Sequence, residues 1–274
     1  MTGLSQGKGE AALVTTRWQT LALQLKGSGK GPAEQCQDRA KAWQLPGSAG
    51  CLLAVADGAG STRHGGDGAE RLIQGIDHLV GRATRWPNPG GSGSGTEAVR
   101  KIAESVIEST LSGLRAERVE VRDYASTFAV GWVGEREAAF AALGDAFACV
   151  QHAGEPAVAH LVLPPDREPG QTGTHFFTSD GWRSLIRTAI VDDPKIASVV
   201  LSTDGLEEVA IEYAHPGSLD DYARPRDVYF VPQMMELIGE GLDEGGLASE
   251  LSVPEILDKK GDDIGLAVAY RRLS

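Results

Sequence analysis

The sequence predicts an α+β fold, because its strand patterns come in runs and its helix patterns come in pairs instead of alternating one for one. Alternating apolar residues mark a strand at residues 17–26 and a run of strands across 127–163, whereas 65–85 and 96–111 carry apolar residues at helical spacing. At 274 residues with 41% hydrophobic side chains, the chain can bury a sizeable core. One domain spanning residues 1–274 is expected, with a frayed, small and polar start at 1–13.

In order, Trp18, Thr20 and Ala22 alternate with Leu21, Leu23 and Leu25 until Gly27-Ser28-Gly29-Lys30-Gly31-Pro32 breaks the strand. That glycine-lysine cluster fails the phosphate-loop pattern, since position 24 is Gln and position 31 is Gly. A second strand is expected over 36–43 and a third, fully apolar, from Cys51 to Ala56. The helix at 65–85 presents Ala69, Leu72, Ile73, Ile76, Leu79 and Val80 on one side. A loop at 87–95 follows, and Thr96 caps a second helix, so the two form an antiparallel pair. Strands at 127–133, 138–143, 146–152 and 157–163 read as a meander of antiparallel neighbours. Residues 174–178 suggest another strand, and 182–191 fits helix and strand equally. A strand at 198–203 precedes helical patterns at 206–213 and 228–241, and the last strand starts near Asp263.

A net charge of −12 argues against nucleic-acid or anionic-membrane partners, which need a basic face, and suits cation binding. Three scattered cysteines, Cys36, Cys51 and Cys149, form neither a disulfide framework nor a zinc knuckle. Neither a signal core nor an apolar run of about 18 residues is seen. A cytoplasmic setting is expected.

Chemistry concentrates at strand ends. Leu52 to Ala56 runs into Asp57-Gly58-Ala59-Gly60, Ser198 to Thr203 runs into Asp204-Gly205, Asp262-Asp263 opens the last strand, and Asp38 borders an early one. A single aspartate in a turn is more often there to cap local amides. Four at matching positions point to a shared cation, because hard divalent ions take oxygen ligands and magnesium borrows only one or two carboxylates per ion. Two such ions clamp a phosphate and make water nucleophilic at neutral pH, so hydrolysis of a phosphoester is implied.

The order of motifs resembles the PPM-type (type 2C) metal-dependent Ser/Thr protein phosphatases: Gln37-Asp38, Val55-Ala56-Asp57-Gly58-Ala59-Gly60, Ser126-Thr127 with Gly144-Asp145, Ser202-Thr203-Asp204-Gly205-Leu206, and Asp262-Asp263. The resemblance covers roughly residues 17–272, most closely in the bacterial branch. It implies an αββα sandwich, two antiparallel sheets face to face with helix pairs outside, and a binuclear Mn2+ or Mg2+ site. By resemblance Asp57 bridges both ions, the Gly58 carbonyl joins one, Asp204 and Asp262 hold the second, and Asp38 orients water at the ions. Asp145 and Glu208 match a third, weaker metal site, with Glu208 standing where Asp is usual. The implied partners are a phosphorylated protein and a cognate Ser/Thr kinase.

Two departures stand out. The phosphate-gripping arginine of the family falls at Ala33, which leaves Lys30 as the candidate to supply a point charge rather than a bidentate fork. The histidine that serves as general acid in some members falls at Ala59, with His64, expected to be a solvated loop residue, the nearest substitute. Cys36 is expected to be an inert thiol, Asp192-Asp193-Pro194 a turn, and the Asp220-Asp221 and Asp243-Glu244 pairs solvated faces. Residues 164–173 and 211–226 are alternative substrate-selecting lids. The competing functions are a non-catalytic phosphoprotein-binding module on the same scaffold and a hydrolase of small phosphoesters.

Overall fold

A computed structural model describes residues 18–46, 50–82, 94–155, 157–166, 173–213, 223–225, 230–256 and 261–271. The chain opens with β1 (Trp18–Leu25), β2 (Arg39–Gln44) and β3 (Cys51–Ala56), followed by helices α1 (Gly65–Arg82) and α2 (Ser94–Ala116). A 3-10 turn at Val121–Tyr124 leads into β4 (Phe128–Val133), β5 (Glu137–Leu143), β6 (Phe147–His152) and β7 (His160–Leu163). One helical turn, α3 (Trp182–Leu185), precedes β8 (Arg187–Asp192) and β9 (Ile196–Ser202). A 3-10 turn at Asp204–Leu206, the short α4 (Glu207–Ala210), β10 (Ile211–Tyr213), β11 (Ala223–Pro225), α5 (Val231–Glu240), α6 (Glu244–Leu251) and β12 (Ile264–Arg271) complete it.

Two five-stranded antiparallel sheets result, ordered β1-β12-β9-β6-β7 and β2-β3-β4-β5-β8, with β10 and β11 as a separate pair. The alternation of β3 shows how they stack. Leu52, Ala54 and Ala56 face α1 and α2 in one core, while Cys51, Leu53 and Val55 face the other sheet in a second. A third core joins the outer face of the first sheet, through Phe147, Val200, Leu266 and Val268, to Met234, Met235 and Ile238 of α5 and Leu247 and Leu251 of α6. The expected αββα sandwich is therefore what forms. Its middle layer is rich in alanine, with Ala129, Ala138, Ala142, Ala148, Ala267 and Ala269 set among larger residues such as Leu53, Phe140 and Leu201. Small side chains let the two sheets approach closely, which brings strand ends from both sheets to a common edge.

Several expectations are corrected. The run from β4 to β7 is not one meander: β4 pairs with β5 and β6 with β7, but β5 and β6 lie in different sheets. The crossing occurs at Gly144, whose φ of 102° lets the chain turn the corner. Residues 36–38 precede β2 instead of belonging to it, and Ser126-Thr127 precede β4. Residues 174–178 form no strand, since Phe177 N–H donates to Ser126 O at 3.0 Å without a continuing ladder. The ambiguous stretch 182–191 divides at Ile186, where the backbone turns extended after one helical turn. The helix expected at 206–213 stops after Ala210 because Ile211–Tyr213 pairs with Ala223–Pro225. Asp243 and Glu244 are exposed as expected, and the Asp243 side chain also caps α6 by accepting from Gly246 N–H at 2.8 Å. Asp193 does form a turn, accepting from Lys195 N–H at 2.8 Å. The frayed start at 1–13, most of the 87–95 loop, Asp220-Asp221 and much of both candidate lids lie outside the described residues.

Because Ala142 is packed into the buried inter-sheet layer, Ala142→Leu, at a position 1% exposed, should cost about 1–3 kcal/mol. A urea unfolding midpoint unchanged by the substitution would contradict this account of the layer.

Candidate active site

Asp57 stands one residue beyond β3, where the chain leaves the second sheet. Its N–H donates to Thr127 Oγ1 at 3.1 Å, and Thr127 N–H returns a bond to its carbonyl at 2.9 Å. Gly58 continues the contact by bridging to Ser126. A Cβ on Gly58 would lie 2.4 Å from the Gly65 carbonyl carbon, so this turn packs against the start of α1 only with glycine there. The first sheet contributes two more ends. Thr203 follows β9, and its N–H donates to Gly265 O on β12 at 2.9 Å while its Oγ1 accepts from Gly265 N–H at 2.8 Å. Asp204 then opens the 3-10 turn, and a Cβ on Gly205 would lie 1.9 Å from Asp263 O, which keeps the β9 and β12 ends in close register.

Asp38 lies between the two. It is 1% exposed and its Oδ2 accepts from Thr203 Oγ1 at 2.6 Å, a link from the approach to β2 in one sheet to the end of β9 in the other. Asp38 and Asp57 also hydrogen-bond through their side chains. Two carboxyl groups can do this only if one keeps a proton. Burial, then the Asp57 charge, holds Asp38 well above the usual carboxylate range. Asp57 is itself pushed up to about 7 by burial and by the charges of Asp204, Asp145 and Asp262. Asp145, 7% exposed, follows the Gly144 corner. The strand-end aspartates predicted from sequence are thus brought within electrostatic reach of one another.

Asp262 and Asp263 divide the labour. Asp263 is 1% exposed, and its two oxygens accept from Gly27 N–H at 2.9 Å and Gln37 N–H at 2.6 Å. Asp262 is more open, with 37% of its side chain exposed, and caps the turn by accepting from Asp263 N–H at 2.9 Å. Lys30 reaches into this corner: its Nζ lies 3.5 Å from Asp262 Oδ1 and 3.7 Å from Asp263 Oδ2, and it donates to Gln37 Oε1 at 3.3 Å. Burial alone would lower its pKa, but the combined Asp263, Asp262 and Asp38 charges raise it, so Lys30 stays an ammonium.

Other candidates stand apart. Glu208 is exposed on α4, whereas Asp145 is buried at the sheet corner. His64 lies half-exposed in the turn before α1, as a loop residue should, and is anchored there: its Nδ1 lies 3.0 Å from Asp67 Oδ2 and its ring stacks on Tyr124 at 5.0 Å between centroids. The Cys36 thiol is pushed up to about 12, by burial first and then by Asp263 and Asp38, as an inert thiol should be. Ala33 is exposed and Ala59 is buried.

Sequence reasoning missed the supports. Asp263 was overlooked beside its neighbour, although an Asp pair before a buried strand signals that one member serves the backbone. Thr203, Thr127 and Gln37 act through single hydrogen bonds whose partners are distant in sequence. Arg39 donates from Nη1 to the carbonyls of Cys36 and Asp38, both at 2.8 Å, and from Nε to Glu70 on α1 at 2.7 Å, pinning the Asp38 segment. Beyond the Gly144 corner, Arg187 donates from Nη2 to Gly144 O at 2.6 Å, and its Nε lies 3.7 Å from Asp166, whose Oδ2 is 3.3 Å from His175 Nδ1.

Anionic groups buried this close together need protons or cations to offset them. Among the described residues no group of three or more His, Cys, Asp or Glu side chains is arranged to hold a metal ion as it stands. The donor set nonetheless fits hard divalent ions, which accept oxygen ligands, keep several waters and need only one or two carboxylates each. Thr203→Val leaves the buried Asp38 without its 2.6 Å donor and should cost about 1–3 kcal/mol of stability in urea unfolding. An unchanged midpoint would show that this bond does not hold the two sheet ends together.

The two-sheet fold is shared with known structures. A bacterial serine phosphatase superposes with a TM-score of 0.64 at 13% identity, covering 93% of this chain and 98% of that one. The Ser/Thr phosphatase Stp1 from Staphylococcus aureus gives 0.61 at 13%, covering 98% and 99%. The catalytic domain of the Ser/Thr protein phosphatase PstP, solved with two manganese ions, gives 0.58 at 15%, covering 92% and 97%. No curated protein sequence matches at significance. At these identities the likeness establishes the fold. The family comes from the sequence, because residues 32–242, which hold Asp38, Asp57, Asp145 and Asp204, match the model of protein phosphatase 2C. With that match and this fold, the chain belongs to the protein phosphatase 2C family.

Proposed function

We propose that this chain hydrolyses phosphoserine and phosphothreonine on protein substrates with the help of two divalent cations, manganese or magnesium, held at its strand-end aspartates. The observation that carries the reading is the buried Asp38–Asp57 pair, with Asp57 facing the charges of Asp204, Asp145 and Asp262. Asp57, the Gly58 carbonyl, Asp204 and Asp262 would hold the two ions, and Asp145 with Glu208 a third, weaker one. Bound there, such ions supply charge stabilisation on the phosphoryl oxygens and a water acidic enough to attack at neutral pH.

The chain's own residues do the rest. Asp38, buried and accepting from Thr203 Oγ1 at 2.6 Å, is fixed where it would hold or pass a proton beside the attacking water. With Ala33 at the position of the family's arginine, Lys30 offers positive charge to the substrate phosphate, as a movable point charge in place of a planar fork. The glycines after Asp57 leave the backbone open to solvent and phosphate. Residues 1–274 are read as one catalytic domain serving a phosphoprotein and its cognate Ser/Thr kinase. Among the described residues no helix is long and apolar enough to cross a membrane, which accords with the proposed cytoplasmic setting.

A phosphothreonine peptide tests this. Manganese-dependent turnover should appear with the wild-type chain, vanish with EDTA, and fall by about 100-fold or more in Asp57→Asn and Asp204→Asn, beyond the 10–100-fold typical of outer-shell changes. Circular dichroism should show both variants folded. Equal turnover in wild type and both variants would sink the proposal. Absent turnover together with phosphopeptide binding by the wild type would favour a binding module, and a preference for nucleotides or other small phosphoesters would redirect the substrate class.

A further inference from the structure

The loop between β1 and β2 does more than deliver a phosphate ligand. Its backbone is clamped to the acidic corner: Gly29 N–H donates to Gly261 O at 2.8 Å, and a Cβ on Gly27 would lie 2.3 Å from the Asp262 carbonyl carbon. The clamp fixes the root of the Lys30 side chain beside this corner. Only 18% of its side chain is exposed, and its Nζ sits against Asp262, Asp263 and Gln37. The same Nζ would lie 3.8 Å from a Cβ on Gly60, in the turn that follows Asp57. The ammonium thus occupies ground between the Asp262 corner and the Asp57 turn.

Of the two carboxylates it touches, Asp263 is already satisfied by two backbone amides. Asp262 is the one with open surface, and its charge is offset by Lys30. A divalent ion arriving at Asp262 meets a cation already placed on that carboxylate, and like charges a few ångströms apart in a part-buried site repel by amounts that dominate the local energetics.

We propose that Lys30 is a tethered competitor for the Asp262 side of the site: it weakens divalent-cation binding there, and the ion, once bound, frees the ammonium for the substrate phosphate. The inference rests on the phosphatase reading above and adds to it a coupling between metal loading and phosphate capture. Both ligands then act on one side chain, so each must alter the affinity for the other.

The test is Mn2+ binding measured by isothermal titration calorimetry on the intact chain, wild type against Lys30→Met and Lys30→Gln, with Lys30→Arg as the charge-retaining control. Two uncharged replacements guard against one failing to fold, and thermal unfolding in EDTA identifies a folding failure. Removing the charge should tighten one Mn2+ site by roughly tenfold, the order expected for a unit charge at this range, while Lys30→Arg stays near wild type. A lesion that merely damaged the site would not raise affinity. Inorganic phosphate should inhibit the uncharged variants more weakly than wild type at saturating Mn2+. If wild type binds Mn2+ and the uncharged variants bind it equally or less tightly, the competitor role is overturned and the phosphatase reading stands. If neither wild type nor the uncharged variants bind Mn2+, both fall.

Discussion

Repulsion among buried carboxylates is the constraint that organises this molecule. Asp38 and Asp204 are nearly or wholly enclosed, and Asp57 shares a proton with Asp38 while facing the charges of Asp204, Asp145 and Asp262. Left to water these groups would move apart. They stay together because each sits on backbone that cannot shift: Asp57 on the turn bonded to Thr127, Asp204 beyond the Thr203–Gly265 contact, and Asp38 under the Arg39 and Thr203 bonds. The alanine-rich layer between the sheets does the same on a larger scale, because only a thin middle layer lets ends from both sheets meet at one edge.

The functional residues were legible in the sequence to the extent that they sit at the ends of apolar strands. Strand ends are easy to see, since a run such as Leu52 to Ala56 stops at a polar turn, and its order relative to the other runs survives whatever the strands do in space. Sheet membership was not legible. The short links β4 to β5 and β5 to β6 look alike in sequence, yet the first is a hairpin and the second crosses between sheets, a difference set by which apolar face each strand must bury. Likewise 206–213 reads as a helix until the pairing of Ile211–Tyr213 with a distant segment overrides local preference.

The Asp262-Asp263 pair shows why roles are harder to read than positions. Adjacent residues point to opposite sides of an extended chain, so only one of the two can face the open corner. Asp263 turns inward onto the amides of Gly27 and Gln37, and Asp262 turns outward onto Lys30. Nothing local distinguishes them; the partners lie more than two hundred residues away in the chain.

Lys30 completes the same logic from the opposite sign of charge. In a chain of net charge −12, the loop clamped by Gly27 and Gly29 directs one ammonium to the acidic corner. An arginine fork would bind two oxygens in a fixed plane, but an ammonium on a four-carbon stem can be drawn from one anion to another. Replacing fork by point charge therefore exchanges rigid recognition for mobility, and in a site crowded with carboxylates that mobility is what the proposed sharing of one positive charge between Asp262 and a phosphate requires.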